Sequence, residues 1–444
     1  MKLSELKNKK IAILGFGKEG KSNLEFLRKI GVKDITILDK NTEIKKEDSL
    51  KYNLGENYLD NLGGFDLIFK TPGISPYHEK IIPYRHKLIS GAQVFFDNYE
   101  GRVIGITGTK GKSTTTTLIY KALEIYGYNV KIVGNIGNPI LDEIDIISGE
   151  KYDYIVYELS SYMLEDLTPK CFISILLNIY PDHLDWHSNF ENYKKAKLNI
   201  IEGSINPLIN SGFLDLINIE YVKTFGSAGD YLYKGHNFYI DGKKIFDDKK
   251  ILLKGEHNRL NISAVIGVLD IVGIKDYSKF ESILKTFCGL PHRLEDVGIY
   301  AGIRFIDDAI STTPESTIEA IKTFGDEINT IFLGGTDRGY DFKELAKYLK
   351  KYEIKNIVLF PDSGDKILNL ITPPPTETPL EKGRLQGNFN ILQTKRMKEA
   401  VDFAFKHTEK GKICLLSTAS PSYSLWKNFE EKGNEFKKEI QSYH

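Results

Sequence analysis

The sequence predicts an α/β fold, organised as three doubly wound units in series. Three observations predict it. Short apolar runs alternate with helical patterns from end to end, the order that builds parallel sheets through crossover helices. Two strand–loop–helix junctions carry glycine-rich loops, GFGKEG at residues 15–20 and ITGTKGKSTTTTL at 106–118. The 444 residues also exceed what a single core usually organises.

Taken in order, KIAILGF reads as a buried strand, and KEGKSNLEFLRKIG as a helix closed by Gly31. DITILD is the next strand, ending at Asp39, and FDLIFKTPGI a third, stopped by Pro72 and Gly73. A new unit starts at GRVIGITGTKGKS, again strand, loop and helix, followed by strands in YDYIVYELS and FISILLNI. The stretch KGHNFYIDGKKIFDDKKILLKG resembles a meander of short antiparallel strands, and HNRLNISAVIGVLDIVG returns to helix. GLPHRLE at 289–295 carries the turn signal of a last boundary. Beyond it RFIDDAI, NTIFLGG, NIVLFP and ICLLS read as buried strands of the final unit, with the Pro-rich stretch at 371–383 as an exposed insertion.

Composition narrows the function classes. Lys plus Arg (60) equals Asp plus Glu (60), so no global field gathers nucleic acid or an anionic membrane surface. No apolar run approaches bilayer length, and the opening MKLSELKNKK has no signal-peptide core. Cys171, Cys288 and Cys414 are far apart in apolar contexts, which predicts buried free thiols. The expectation is a protein of the reducing cytoplasm.

Gly15, Gly17 and Gly20 have the GxGxxG spacing between strand and helix, with the acidic Asp39 ending the next strand. Glycines let the backbone approach a diphosphate, while the helix N-terminus supplies N–H donors and partial positive charge. The spacing suits any nucleotide diphosphate, a UDP-sugar included, and equally a plain tight turn. Because a new unit begins near residue 100, the second half of a full dinucleotide fold is missing, which favours a single diphosphate over NAD. In the second loop Gly111, Lys112 and Ser113 form the GK[ST] core of an ATP loop: backbone N–H groups for phosphate, a lysine for the β/γ-phosphates, a hydroxyl for Mg²⁺. Ile106 stands where the strict pattern has its first glycine. These signals define a Rossmann-like unit over 1–97, a central P-loop ATPase-like parallel sheet over 98–290 and a Rossmann-like unit over 291–444.

Metal ligands are expected at neighbouring strand ends. Glu158 ends one buried strand, where a charge needs a partner. Asp182, His183, Asp185 and His187 follow another, in NIYPDHLDWH. Ser113, Glu158 and His183 suit an Mg²⁺ sphere. A satisfied structural histidine is the other reading of His183 and the preferred one for His187. In NYKKAKLNI, Lys194 and Lys195 read as a solvated face, whereas Lys197 abuts apolar residues.

At this point the motifs ITGTKGKSTTTT, GNIGNP, YELSSYMLE, NIYPDHLDWH, YKKAKLNI, GEHNRLN, GLPHRLE and KNFEEKGNEF occur in the order found in the Mur ligases. The chain resembles that family over essentially its whole length. KTPGIS, GNIG, ELSSYMLE and KNFEEKGNEF resemble the branch that adds glutamate to a UDP-muramoyl-alanine.

The resemblance implies an ATP-dependent amide ligase of peptidoglycan precursor synthesis that works through an acyl phosphate. The first unit would hold the UDP-sugar through Gly15, Gly17, Lys18, Glu19, Asp39 and Gly73, with Asn135 and Ser160 toward the muramoyl peptide. ATP would be held by Gly108, Thr109, Lys110, Gly111, Lys112, Ser113 and Thr114, with Asn261, Arg293 and Asp308 as adenine, phosphate and ribose contacts. Lys112, Glu158, His183 and Lys197 would be catalytic. Ser113, Glu158, His183 and a carbamylated Lys197 would hold two Mg²⁺ ions. Thr312, Arg338, Ser422 and Phe429 would form the amino-acid pocket.

Three departures from the family pattern stand out: Met163 for a common Gln, Ile310 for a lysine, and Arg338 for a lysine. Losing a cation near the amino-acid site leaves D-Glu as first choice, with L-Glu or another amino acid as the alternative. A non-catalytic nucleotide-sugar sensor is the reading from another class.

Overall fold

The computed structural model describes every residue except 135–137, 218, 220, 254, 373–384, 387–388 and 444. Asn135 and nearly all of the 371–383 insertion therefore lie outside the described residues. The chain forms two compact units, Met1–Cys288 and Gly289–His444.

The first unit contains two sheets. The smaller has five parallel strands, β1 (Ile11–Leu14), β2 (Ile35–Asp39), β3 (Lys51–Leu54), β4 (Leu67–Lys70) and β5 (Leu88–Ile89), in the order β3-β2-β1-β4-β5. β1 is buried along its whole length, as the IAIL run requires. It feeds the helix Lys18–Lys29, whose apolar face packs on the sheet. The chain leaves that helix at Gly31, in the left-handed region at φ +87°. β3 and β5 were not anticipated. Lys51–Leu54 is a partly exposed edge strand without an apolar run, and β5 is two residues long.

The larger sheet has nine strands: β6 (Val103–Thr107), β7 (Val130–Gly134), β8 (Tyr154–Glu158), β9 (Ile173–Leu176), β10 (Asn206–Asn210), β11 (Lys223–Gly226), β12 (Tyr231–Lys234), β13 (Asn237–Ile240) and β14 (Lys243–Asp247). Their order is β14-β13-β12-β11-β10-β9-β6-β8-β7. The expected meander is present in β12–β14, but it extends this sheet because β12 pairs parallel with β11. The helices Lys112–Ile125 and Glu256–Ile271 pack against each other over it.

The second unit holds one sheet, β15 (Glu295–Tyr300), β16 (Ile303–Asp307), β17 (Ile328–Gly334), β18 (Asn356–Phe360), β19 (Leu385–Gln386), β20 (Phe389–Gln393) and β21 (Ile413–Leu416), in the order β15-β16-β21-β17-β18-β20-β19. β16, β21, β17, β18 and β20 run parallel, with the antiparallel β15 and β19 at the edges. Cys171 and Cys414 are buried free thiols, but Cys288 is exposed: it follows the last buried turn of the first unit instead of entering a core. Among the described residues no helix is long and apolar enough to cross a membrane.

Candidate active site

The order of the five-stranded sheet reverses between β1 and β4, and a crevice opens beyond their carboxyl ends, where α/β folds bind ligands. It is a cavity of 390 Å³ lined by Gly15, Gly17, Lys18, Glu19, Asp39 and Gly73, all six expected from the sequence. Gly15 sits at φ +90°, and a Cβ there would fall 2.2 Å from Thr71 Oγ1 on the neighbouring strand end. That threonine donates to the Leu14 carbonyl at 3.1 Å, stitching the two sides of the crevice together. The Asp39 carboxylate accepts the Phe16 N–H at 2.6 Å and the Asn41 N–H at 2.7 Å, so it also holds the glycine loop in shape. Lys40 and Tyr58 also line the wall. Tyr58 carried no sequence signal, because it arrives from a segment outside the strand–loop–helix motif.

Gly15→Ala would place a side chain in the left-handed region, at about 1–2 kcal/mol, and push Thr71 aside. We expect UDP affinity to fall at least about tenfold while the ATP KM is unchanged. Calorimetric titration with UDP and steady-state kinetics measure the two effects.

The second loop follows β6, the strand flanked by β8 and β9. Its backbone is pinned from outside: Thr109 N–H donates to the Asn178 carbonyl at 3.0 Å, and Lys110 and Asn178 exchange hydrogen bonds at 2.9 and 3.0 Å. Tyr180 N–H donates to Thr109 Oγ1 at 2.9 Å, and the Tyr193 hydroxyl lies 2.8 Å from the same oxygen. Gly111, at φ +87°, opens the helix Lys112–Ile125, and a Cβ there would meet Asn261 Oδ1 at 2.7 Å. The sequence-named Asn261 thus packs on the loop. Thr114 lies half-buried in the first turn of the same helix, and Lys110 is exposed with its Nζ 3.7 Å from Asp182.

Two lysines converge inside this loop. Lys112 Nζ donates to the Gly108 carbonyl at 2.9 Å and the Thr109 carbonyl at 3.1 Å. Lys197 Nζ donates to the same Gly108 carbonyl at 2.8 Å and approaches Thr107 Oγ1 at 3.5 Å. Lys197 is among the largest fully buried side chains, and it lies 4.9 Å from the Tyr193 ring. Burial, and then the Lys112 ammonium, hold the Lys197 amine well below the usual lysine range against the pull of Asp182 and Glu158. Tyr193 lies one turn before Lys197, and that spacing was the available signal for their shared face.

Beside the lysines, Ser113 Oγ donates to Glu158 Oε1 at 3.2 Å, with Glu158 fully buried at the end of β8. His183 stands at φ +54° after β9, its ring 4.8 Å from that of Tyr162. Burial and then the Lys112 and Lys197 ammoniums lower its pKa, outweighing Asp182, so the imidazole is neutral near pH 7. Ser160 caps the turn Ser161–Leu164 by accepting the Met163 N–H at 3.3 Å. His187 is fully buried with Nδ1 3.4 Å from Glu165, but among the described residues neither ring nitrogen makes a hydrogen bond. A hydroxyl, a carboxylate and a neutral imidazole at adjoining strand ends fit a divalent cation by donor chemistry.

In the second unit Asp308, Thr312, Arg338 and Ser422 follow the carboxyl ends of β16, β17 and β21, three adjacent strands. Asp308 is buried; it accepts Ser417 Oγ at 2.7 Å and the Leu294 N–H at 3.2 Å. Burial pushes its carboxyl up to about 6 despite those bonds. Arg293 is exposed. Arg338 lies over the Tyr423 ring at 5.6 Å, Ser422 is buried, and Phe429 opens the helix Phe429–Gln441 with its ring 6.0 Å from that of His292.

The sequence reading missed Lys432 on that helix. It is fully buried, its ammonium donates to the Thr418 hydroxyl, and Asp307 and Asp308 attract it. Burial nonetheless lowers its pKa to about 7. Between about 7 and the ordinary 10.5 the folded chain binds fewer protons at Lys432 than the unfolded chain does. Stability from this group therefore rises with pH across that window and is lost as pH falls through 7. Comparing thermal midpoints from pH 7 to 10, we expect the wild type to gain on Lys432→Met as pH rises; parallel curves would contradict this.

Comparison with known proteins agrees with this architecture. The Mur ligase middle domain family matches residues 106–269, the stretch that carries the second loop, Glu158, His183 and Lys197. The UDP-N-acetylmuramoylalanine–D-glutamate ligase of Acetivibrio thermocellus is 33% identical, over 99% of this chain and 97% of its own. That of Ruminiclostridium cellulolyticum is 31% identical, over 99% and 97% respectively. Among solved structures, the UDP-N-acetylmuramate-alanine ligase of Thermotoga maritima is similar at a TM-score of 0.54 and 18% identity, covering 98% of this chain and 100% of that one. The MurF ligase of the same organism, solved in complex with ADP, reaches 0.53 at 17% identity over 100% and 97%. With the fold, the two loops and full-length relatives in agreement, the chain belongs to the Mur ligase family.

Proposed function

We propose that the protein is an ATP-dependent ligase that joins D-glutamate to UDP-N-acetylmuramoyl-L-alanine, a step of peptidoglycan precursor synthesis. The observation that carries this reading is the 33% identity over 99% of the chain to a ligase of that name, on a chain whose two glycine loops both lie at strand carboxyl ends. Residues 1–97 hold the nucleotide sugar, 98–290 hold ATP and 291–444 receive the amino acid. One chain suffices, acting in the cytoplasm where ATP is supplied.

An amine does not displace oxide from a carboxylate, so the acid must first be activated. A carboxylate oxygen of muramoyl-alanine attacks the γ-phosphorus and the bond to ADP breaks. The glutamate amine then adds to the acyl carbon, loses a proton, and phosphate departs with the old carboxylate oxygen. Lys112 supports the first transfer by neutralising charge on the γ-phosphoryl oxygens. Ser113, Glu158 and His183 are the residues to hold Mg²⁺, which screens repulsion between carboxylate and triphosphate when bound. Lys197, kept toward its neutral amine by burial, adds CO₂ with loss of a proton, and the resulting carbamate presents anionic oxygen in place of an ammonium. The pocket of Thr312, Arg338, Ser422 and Phe429 takes glutamate, with Arg338 as its cation where Ile310 offers none.

Phosphate release from ATP, Mg²⁺ and UDP-N-acetylmuramoyl-L-alanine, measured with each glutamate enantiomer, tests the reading. Release with D-glutamate alone is expected. Release with neither enantiomer, or with L-glutamate only, would overturn it.

A further inference from the structure

The two sheets of the first unit are joined by an ionic cluster built on the buried Lys70–Asp166 pair, with the exposed Arg85 at its rim. Lys70, the last residue of β4, is 3% exposed. Its ammonium donates to the Ile74 carbonyl at 2.9 Å and reaches the Thr71 carbonyl at 3.4 Å, closing the turn that walls the 390 Å³ cavity. The same ammonium pairs with Asp166 at 2.9 Å, eight residues after Glu158 at the end of β8. Alongside, Arg85 pairs with Glu165 at 2.8 Å, the Tyr77 hydroxyl donates to Glu165 at 2.6 Å, and Ser75 donates to the Trp186 carbonyl at 2.7 Å. Two cations thus face two carboxylates across the sheets.

The contact continues toward the catalytic histidine. Lys70 Nζ lies 5.3 Å from the Trp186 ring centroid, that ring is 4.7 Å from Tyr162, and Tyr162 is 4.8 Å from His183. One buried ammonium therefore touches the turn beside the glycine loop, the segment after Ser160, and the aromatic stack that carries His183.

We propose that Lys70 is a positioning residue, which through Asp166 fixes the wall of the glycine-lined cavity relative to the strand ends bearing Glu158 and His183. A surface strut could be lost without consequence. A buried pair cannot lose one partner without leaving the other charge uncompensated. Fixing the distance matters because the inference rests on the ligase reading: a diphosphate anchored on one sheet must deliver a carboxylate to a phosphoryl group held on the other, and small misplacements of reacting atoms are costly.

Lys70→Met leaves Asp166 with only the more distant, exposed Arg85 at 3.9 Å and tests folding along with position, so the Lys70→Met/Asp166→Asn double variant is the informative one. Removing both charges restores the balance, and we expect its thermal midpoint to approach that of the wild type. Its kcat is expected to stay at least about tenfold low, with the ATP KM within about twofold and with weaker binding of UDP alone. Lys70→Arg, which keeps the charge, is expected to recover part of kcat. A double variant with wild-type kcat and wild-type UDP affinity would overturn the proposal, because the cluster would then serve folding only. If the wild type itself released no phosphate, the ligase reading would fail, and the UDP titration would still decide the role of Lys70.

Discussion

Replacing Lys197 by alanine is expected to lower turnover by about a thousandfold or more while leaving the protein folded. The side chain is wholly buried, yet among the described residues its hydrogen-bond acceptors are the Gly108 carbonyl at 2.8 Å and a long contact to Thr107. A buried lysine beside a second lysine is a poor device for stability, since desolvation and like charge both oppose its ammonium. Its removal should leave the thermal midpoint unchanged or raised, which separates the loss of activity from a loss of fold. The alanine variant also opens a space lined by the loop at Thr107 and Gly108. If a carbamate normally fills it, added formate or acetate should restore part of the rate, as a mobile anionic oxygen replaces the tethered one. Full activity of Lys197→Ala without additives would remove the residue from the mechanism.

Lys112→Ala is the second large effect. Its ammonium is folded onto the Gly108 and Thr109 carbonyls, the backbone of the loop proposed to receive phosphates. It can swing from those carbonyls to a triphosphate without leaving the loop, delivering positive charge where negative charge accumulates in phosphoryl transfer. Loss of one such electrostatic group costs on the order of 10²–10³ in kcat. UDP affinity should not change, because the cavity holding Gly15 and Asp39 belongs to the other sheet. A nucleotide-sugar sensor without catalysis would be indifferent to the substitution in both measurements.

The sequence exposed those parts of the site that depend on local backbone chemistry. Gly15 and Gly111 both adopt left-handed conformations that only glycine tolerates well, and both were read from spacing alone. Glu158 was legible because a carboxylate ending an apolar strand needs a partner, and Ser113 is one. Lys197 was marked by its apolar neighbours, and its role was implied only by the family resemblance; the helix Phe190–Leu198 lays it against a loop some ninety residues earlier.

Lys70, Tyr58 and Lys432 were not legible. Each acts through a contact with a distant segment, Asp166, the glycine cavity and Thr418 respectively; KTPGIS and KNFEEKGNEF contain Lys70 and Lys432, but nothing in those motifs says which lysine is buried. The same reasoning explains two of the strands the sequence did not show; β7, β10, β11, β15, β19 and β20 were also not anticipated. β3 and β5 exist because the larger strands beside them supply hydrogen-bond partners, a tertiary cause with no periodic trace.

The central claim is that the γ-phosphoryl group passes to the substrate carboxylate before the amine attacks. Oxygen labelling tests it directly. With ¹⁸O in both carboxylate oxygens of UDP-N-acetylmuramoyl-L-alanine, the phosphate released during ligation is expected to carry one labelled oxygen and the new amide carbonyl the other. Unlabelled phosphate accompanying amide formation would mean that ATP is cleaved by water, and would contradict the account.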